Sequence, residues 1–174
     1  MGRGIDPSRY RCFIDEDRNS ISFLLHDSMN RIIGCQEHLP FEVDKSYRYN
    51  TQSSGQPIWG MEYIPEDYRG VVYITESITR SIYLHKIGLY SISILGSTCS
   101  KQVLDFFLNN RRMTFVWIGD PDRGGERLLK YFGENGLTSP KDVDNMNIFE
   151  LYEFKQLLEV KYGSIHDKRP SFGS

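Results

Sequence analysis

From Gly70 onward the chain repeats one pattern, and that pattern leaves few folds open. "VVYIT" (71–75), "YSISIL" (90–95) and "MTFVWIG" (113–119) are short β-prone runs. The first is apolar without interruption, as expected of a strand covered on both faces. Each run is followed by a segment of helical character. In "SITRSIYLHKIG" (77–88), Ile78, Ile82 and Leu84 can face a core and Gly88 ends the helix. In "SKQVLDFFLNN" (100–110), Ser100 is a candidate N-cap, with Val103, Leu104 and Phe107 on one face. "RGGERLLKYFGENG" (123–136) closes on glycine. Three strand–helix units in succession predict an α/β fold, a parallel sheet with right-handed crossovers and flanking helices. A last helix is expected over "NIFELYEFKQLLEVKYG" (147–163), with Phe149, Leu151, Leu157 and Leu158 as core candidates.

The first 68 residues have another texture. "RCFI", "ISFLLH" and "RIIGCQ" are short apolar runs separated by "DEDRNS" and by "DSMN", a turn-forming tetrapeptide. They read as hairpin strands of a small β-rich N-terminal subdomain. "NTQSSGQP" (50–57) reads as a polar loop and "IWGMEYIP" as one more short strand. The expected organisation is a β-rich subdomain over 1–68, an α/β domain over 69–163 and a flexible tail over 164–174.

Hydrophobic residues make up 39% of the 174 and charged residues 25%, enough to build a real core. The net charge of −2 does not advertise a nucleic-acid binder, but a local basic surface can sit on a neutral protein. Cys12, Cys35 and Cys99 are odd in number and make no CxxC pair, which argues against a zinc module and a disulfide framework. They are expected as small buried hydrophobes in a reducing, cytoplasmic setting. His26, His38, His85 and His166 show no metal-binding spacing and read as surface or satisfied core residues. No apolar run approaches a membrane span and no signal peptide opens the chain, so no membrane partner is expected.

The chemistry is expected where the strands stop. In an open parallel sheet, ligands bind outside the carboxyl ends of the strands. There "VVYIT" runs into Glu76, "YSISIL" runs into "GST" (96–98), and "MTFVWIG" runs into Asp120–Pro121–Asp122. Residues two apart in an extended segment point the same way, and Pro121 biases Asp120 toward an extended conformation. The two aspartates can therefore converge on one or two hard cations, with oxygen-only ligation suited to Mg²⁺ or Mn²⁺. Two such ions about 3.5–4 Å apart clamp the attacking and leaving oxygens of a phosphoryl transfer. Gly124 and Gly125 could let backbone approach a phosphate. Each acid also has a plain reading: Asp122 as a helix N-cap, Asp120 as a turn opener before proline, Glu76 as a first-turn helix acid.

These residues resemble a known family. "VVYITES … GST … VWIGDPDRGGER … KDVD" is similar to the TOPRIM domain of DNA primases, topoisomerases and some nucleases, which carries a glutamate after its first strand and a DxD after its third. The first half narrows the resemblance. "SFLLHDSMNRIIGCQ" followed by "YRYNTQSSG" is similar to the β-rich subdomain that precedes TOPRIM in phage and bacterial primases. The resemblance covers about residues 10–160. It implies a primase RNA-polymerase core that makes short RNA primers from NTPs on single-stranded DNA in phage or bacterial replication. Glu76, Asp120 and Asp122 would be catalytic and metal-holding, and Asp142 and Asp144 would be further metal ligands. Lys45, Arg48, Arg80, Thr98, Arg123 and Arg127 would contact nucleotide or nucleic acid. For Asp142 and Asp144 the plain alternative is capping of the "NIFEL" helix.

Two positions depart from the family pattern: its glycine after the glutamate is Ser77 here, and its aspartate four residues after the glutamate is Arg80. A cation at position 80 removes one potential metal ligand. There is no zinc-ribbon cysteine set and no GxxxxGK[ST] motif, so a helicase or zinc-binding module would act in trans or on another part of a longer protein. Two rival readings stand beside primer synthesis. One is a metal-dependent TOPRIM nuclease. The other is a degenerate, non-catalytic module that binds nucleic acid or a replication partner. Tyr47, Tyr49 and Tyr63 could stack bases, although tyrosine is equally a good sheet residue.

Overall fold

The structure is a computed structural model that describes residues 6–44 and 47–163. Lys45 and the 164–174 tail lie outside the described residues. The chain divides into two compact units between Trp59 and Gly60.

The first unit is an antiparallel sheet of four strands in order β1-β2-β3-β4: Cys12–Asp15, Ser20–His26, Ile32–His38 and Tyr49–Ser53. Asn19 and Asn30 take positive φ in the two hairpin turns, a conformation asparagine tolerates. In the second turn the Asp27 carboxylate accepts from the backbone N–H groups of Met29 and Arg31 and pairs with the Arg31 guanidinium at 2.6 Å. "DSMN" therefore turns the chain as expected. Two expectations need correction. Residues 50–53, taken as the start of a loop, belong to β4. They were missed because all five residues of β4 are exposed, so no buried face writes an alternation into the sequence. "IWGMEYIP" forms no strand. Ile58 makes a single bridge to His26, and Met61–Tyr63 form one 3-10 turn. Phe23, Leu25, Ile58 and Trp59 are fully buried, with Trp59 set edge-on to Phe23.

The second unit is a parallel sheet in order β6-β5-β7-β8: β5 Val71–Thr75, β6 Ser91–Ser93, β7 Thr114–Gly119 and β8 Gly136–Thr138. Its helices are α1 Ile78–Lys86, α2 Lys101–Leu108, α3 Arg123–Phe132 and α4 Ile148–Tyr162. All five residues of β5 are buried, because both faces are covered. Val71, Tyr73, Val116 and Ile118 pack in one cluster with Leu84 and Ile87 of the α1 region and Leu151, Phe154 and Leu158 of α4. Around Phe115 and Trp117 gather Phe107 of α2 and Phe132 of α3, with ring centroids 4.8 Å and 6.3 Å apart for the Phe107–Phe115 and Trp117–Phe132 pairs.

β6 is buried although it carries serines at 91 and 93, so its polar groups must be answered inside. Ser91 Oγ donates to the Ser81 carbonyl, Thr75 Oγ1 and Ser81 Oγ share a hydrogen bond of 2.8 Å, and His85 Nε2 donates to the Ser91 carbonyl. This polar seam ties α1 to β5 and β6. β8 was not expected at all, since three residues are too few to show a period. On α4, Leu151 and Leu158 are buried as expected, but Phe149 is 79% and Leu157 51% exposed. The helix carries apolar residues all round, so periodicity could not select its inward face. The cysteines also differ from expectation: all three are only partly buried. His26, His38 and His85 are buried core residues. No helix among the described residues is long and apolar enough to cross a membrane.

Candidate active site

The sheet order decides what meets. β5 and β7 are neighbours in its middle, so the residues just past their carboxyl ends, Glu76 and Asp120, are brought together. The Asp120 backbone N–H donates to the Glu76 carboxylate. The other carboxylate oxygen, Glu76 Oε1, is buried without a hydrogen-bond partner. Burial pushes the Glu76 carboxyl above its ordinary value, and Asp122 and Asp142 add to the rise while Arg80 opposes it.

Asp120 is the most deeply placed acid, 5% exposed. Burial pushes its carboxyl up to about 7 against the pull of Arg80, and the charges of Glu76, Asp142 and Asp122 reinforce the rise. Asp122 is the N-cap expected of it. Its charge is felt by Glu76 and Asp120, and its Oδ1 caps α3 by accepting from the Gly125 N–H at 2.9 Å.

The double glycine has a local cause. A Cβ on Gly125 would fall under 3.0 Å from the backbone O and N of Asp120 and lie 2.8 Å from the Gly119 carbonyl carbon. The first turn of α3 therefore rests directly on the end of β7, and Trp117 Nε1 donates to the Gly125 carbonyl at 2.9 Å. The expectation that Gly125 makes room for a phosphate is replaced by this packing role. Gly124 looks outward to Ser97 of the "GST" turn, whose Cβ and Oγ would lie 3.4 Å from an added methyl. That turn is entered through Leu95 at φ 57° and Gly96 at φ 143°.

Arg80, in the first turn of α1, gathers the remaining acids. Its Nη1 lies 2.5 Å from Asp120, its Nη2 3.4 Å from Asp142 and its Nε 3.6 Å from Asp144. Asp142 and Asp144 thus join the cluster, while the cap of α4 is Asn147, which forms a reciprocal capping box with Glu150. Ser77, the other departure from the family pattern, caps α1 by accepting from Arg80 N–H. The sequence reading missed Thr79, a buried residue whose Oγ1 donates to Asp144 at 3.4 Å. Its signal was its place three residues after Glu76, in the first turn of a helix that starts at the strand end.

Arg123 and Arg127 are exposed on α3, and Thr98 is exposed at the end of the "GST" turn. Arg48 belongs to the first unit, where its Nε donates to the Glu42 carbonyl at 2.7 Å. Tyr47 is exposed, Tyr49 stacks on His38, and Tyr63 is half-buried edge-on to His85.

Among the described residues, no group of three or more His, Cys, Asp or Glu is set to hold a metal ion as it stands. The donors still fit one hard cation. They are all carboxylates, and the unpartnered Glu76 Oε1 is a buried oxygen that such an ion would satisfy.

No family model matches the chain, and no curated protein matches it. Solved structures do. The primase fragment of the bacteriophage T7 primase-helicase protein matches with a TM-score of 0.65 at 14% identity, covering 87% of this chain and 71% of that one. A DNA primase domain from Pseudomonas aeruginosa matches with 0.59 at 17%, covering 88% and 57%. A DnaG primase catalytic domain bound to ssDNA matches with 0.58 at 15%, covering 86% and 56%. The chain therefore spans little more than half the length of these last two structures. A β-sheet unit followed by a parallel sheet with acids at the ends of its two inner strands is the arrangement in hand, and the chain has the fold of the TOPRIM-type DNA primase catalytic core.

Proposed function

We propose that this chain is a primase catalytic core that synthesises short RNA primers from NTPs on single-stranded DNA. The observation that carries the reading is the meeting of Glu76 and Asp120 at the ends of adjacent inner strands, in a fold shared with primase cores. Glu76, Asp120 and Asp122 are the residues that would hold Mg²⁺ or Mn²⁺. Such an ion, when bound, neutralises charge on the phosphates undergoing transfer. Glu76, with its raised affinity for a proton and an unpartnered oxygen, is suited to take the proton of an attacking 3′-hydroxyl. Arg123 and Arg127 lie exposed on the helix that Asp122 caps, where they can grip triphosphate. Thr98 is a further contact for nucleotide. Lys45 and Arg48 of the N-terminal part are assigned to the template. Catalysis then consists mainly of positioning and charge neutralisation. A helicase or a zinc-binding module would be supplied in trans or by another part of a longer protein.

The test is primer synthesis on a single-stranded template with labelled NTPs and Mg²⁺. Wild type should yield short RNA, and Asp120→Asn and Glu76→Gln should each lose at least about a hundredfold. Equal product from all three would refute the assignment. The ion pair between Arg80 and Asp120 favours one second reading, a non-catalytic module that binds nucleic acid. That reading predicts template binding without product, and no dependence of either on Mn²⁺.

A further inference from the structure

Arg80 does not behave as an arginine fork. A guanidinium bound to one carboxylate uses two parallel N–H groups. Here each of its three nitrogens faces a different acid: Asp120 beyond β7, and Asp142 and Asp144 on the segment before α4. At 3.6 Å the Nε–Asp144 approach is an ion pair and not a hydrogen bond. The side chain is itself 17% exposed, those of Asp120 and Asp144 are 7% and 8% exposed, and that of Asp142, at the rim, is 37% exposed. Several oxygens from separate segments converging on one central positive charge is how carboxylates surround a metal ion. Buried acids at this spacing need such a charge to stay together.

The cluster is also fixed in place. Ser77 caps the helix that carries Arg80, and Thr79 on the same turn donates to Asp144. Glu76 stands apart from the three bridged acids in one respect: its Oε1 has no partner. The carboxylates thus fall into a set already neutralised from within and a set still open to a cation, with Asp120 shared by both.

We propose that Arg80 is a built-in cation that takes the place of one divalent ion at Asp120, Asp142 and Asp144, so that the chain takes up a single exchangeable ion through Glu76 with Asp120 and Asp122. The proposal deepens the primer-synthesis reading and rests on it for the meaning of that ion. A guanidinium cannot be chelated away or exchanged, and it stays charged at every working pH. The cluster therefore keeps its shape in the absence of metal.

The test is a count of bound Mn²⁺, with metal alone and no nucleotide, by calorimetric titration and by the loss of free-ion resonance signal. Wild type is compared with Arg80→Asp, which restores a carboxylate, and with Arg80→Gln, which only removes the charge. The expected result is one more ion per chain in Arg80→Asp than in wild type. Arg80→Gln should melt at a lower temperature without Mn²⁺ and recover in its presence. Equal counts in wild type and Arg80→Asp would overturn the proposal. So would variants that Mn²⁺ cannot bring back to wild-type circular dichroism, since an ion able to replace the guanidinium would restore the cluster. The two readings fail separately. No ion in wild type but one in Arg80→Asp would overturn the uptake through Glu76, Asp120 and Asp122, and with it metal-dependent synthesis, and leave only the place of Arg80 among Asp120, Asp142 and Asp144. One ion in each would sink the substitution and leave synthesis standing.

Discussion

Replacing Gly125 by alanine should damage this protein far more than replacing its neighbour Gly124. Both lie in the first turn of α3, and both changes gain helix propensity of about 1 kcal/mol. They differ in what the methyl meets. At Gly124 it meets Asp122 Oδ1 at 3.0 Å and Ser97 at 3.4 Å, side chains that can give way. At Gly125 it runs into the backbone of Asp120 and Gly119, which cannot move without shifting the end of β7. Overpacking of that kind costs about 1–3 kcal/mol. Pushing α3 outward also strips the buried Trp117 Nε1 of its acceptor, the Gly125 carbonyl, for a further 1–3 kcal/mol or so. Set against the propensity gain, Gly125→Ala should lose about 1–5 kcal/mol, while Gly124→Ala should fall within about 1 kcal/mol of wild type. Urea unfolding followed by circular dichroism measures both, and Trp117 fluorescence reports the altered indole environment in Gly125→Ala alone. If the two variants had equal urea midpoints, the claim that α3 rests on bare backbone at the Asp120 turn would be wrong.

Two further outcomes follow from burial. His85 is buried and neutral, and burial pulls its imidazole from the ordinary 6.5 down to about 4. The unfolded chain then binds the proton more readily than the folded one between these values. The stabilising contribution is complete above about pH 6.5 and falls away as pH drops toward 4, about 2 kcal/mol of it between pH 7 and pH 5. His85→Gln should remove that share of the acid-side decline in urea midpoints, and an unchanged pH slope would show the ring is not buried as described. On α4, Leu151→Ala should cost about 2–5 kcal/mol and Phe149→Ala less than about 0.5 kcal/mol in the same unfolding assay. The reverse ranking would mean that the helix is rotated.

Much of this was legible in the chain because burial on both faces leaves its mark on composition. β5 and β7 announced themselves as apolar runs, and the acids that stop them are the ones that meet. The caps at Ser100 and Asp122 were equally readable, since a side-chain oxygen two or three residues before an apolar stripe has few other uses. β4 was hidden because none of its side chains is buried, and β8 because three residues are too few to show a period. The outward position of Phe149 and Leu157 followed from packing that the sequence of α4 does not encode. The site was half legible. Position 80 was recognisable as a cation in an acid's place. Its grip on three separate carboxylates required the fold, since Asp142 and Asp144 come to it from sixty residues away in the chain.

The acids hang from the two strands that have neighbours on both sides, and this fixes where adaptation can occur. Amides in 71–75 and 114–119 should exchange with solvent only when the whole sheet opens, so a ligand arriving at Glu76 and Asp120 finds a backbone already ordered. Whatever rearrangement substrates demand must be borne by the periphery, above all by the left-handed turn at Leu95 and Gly96.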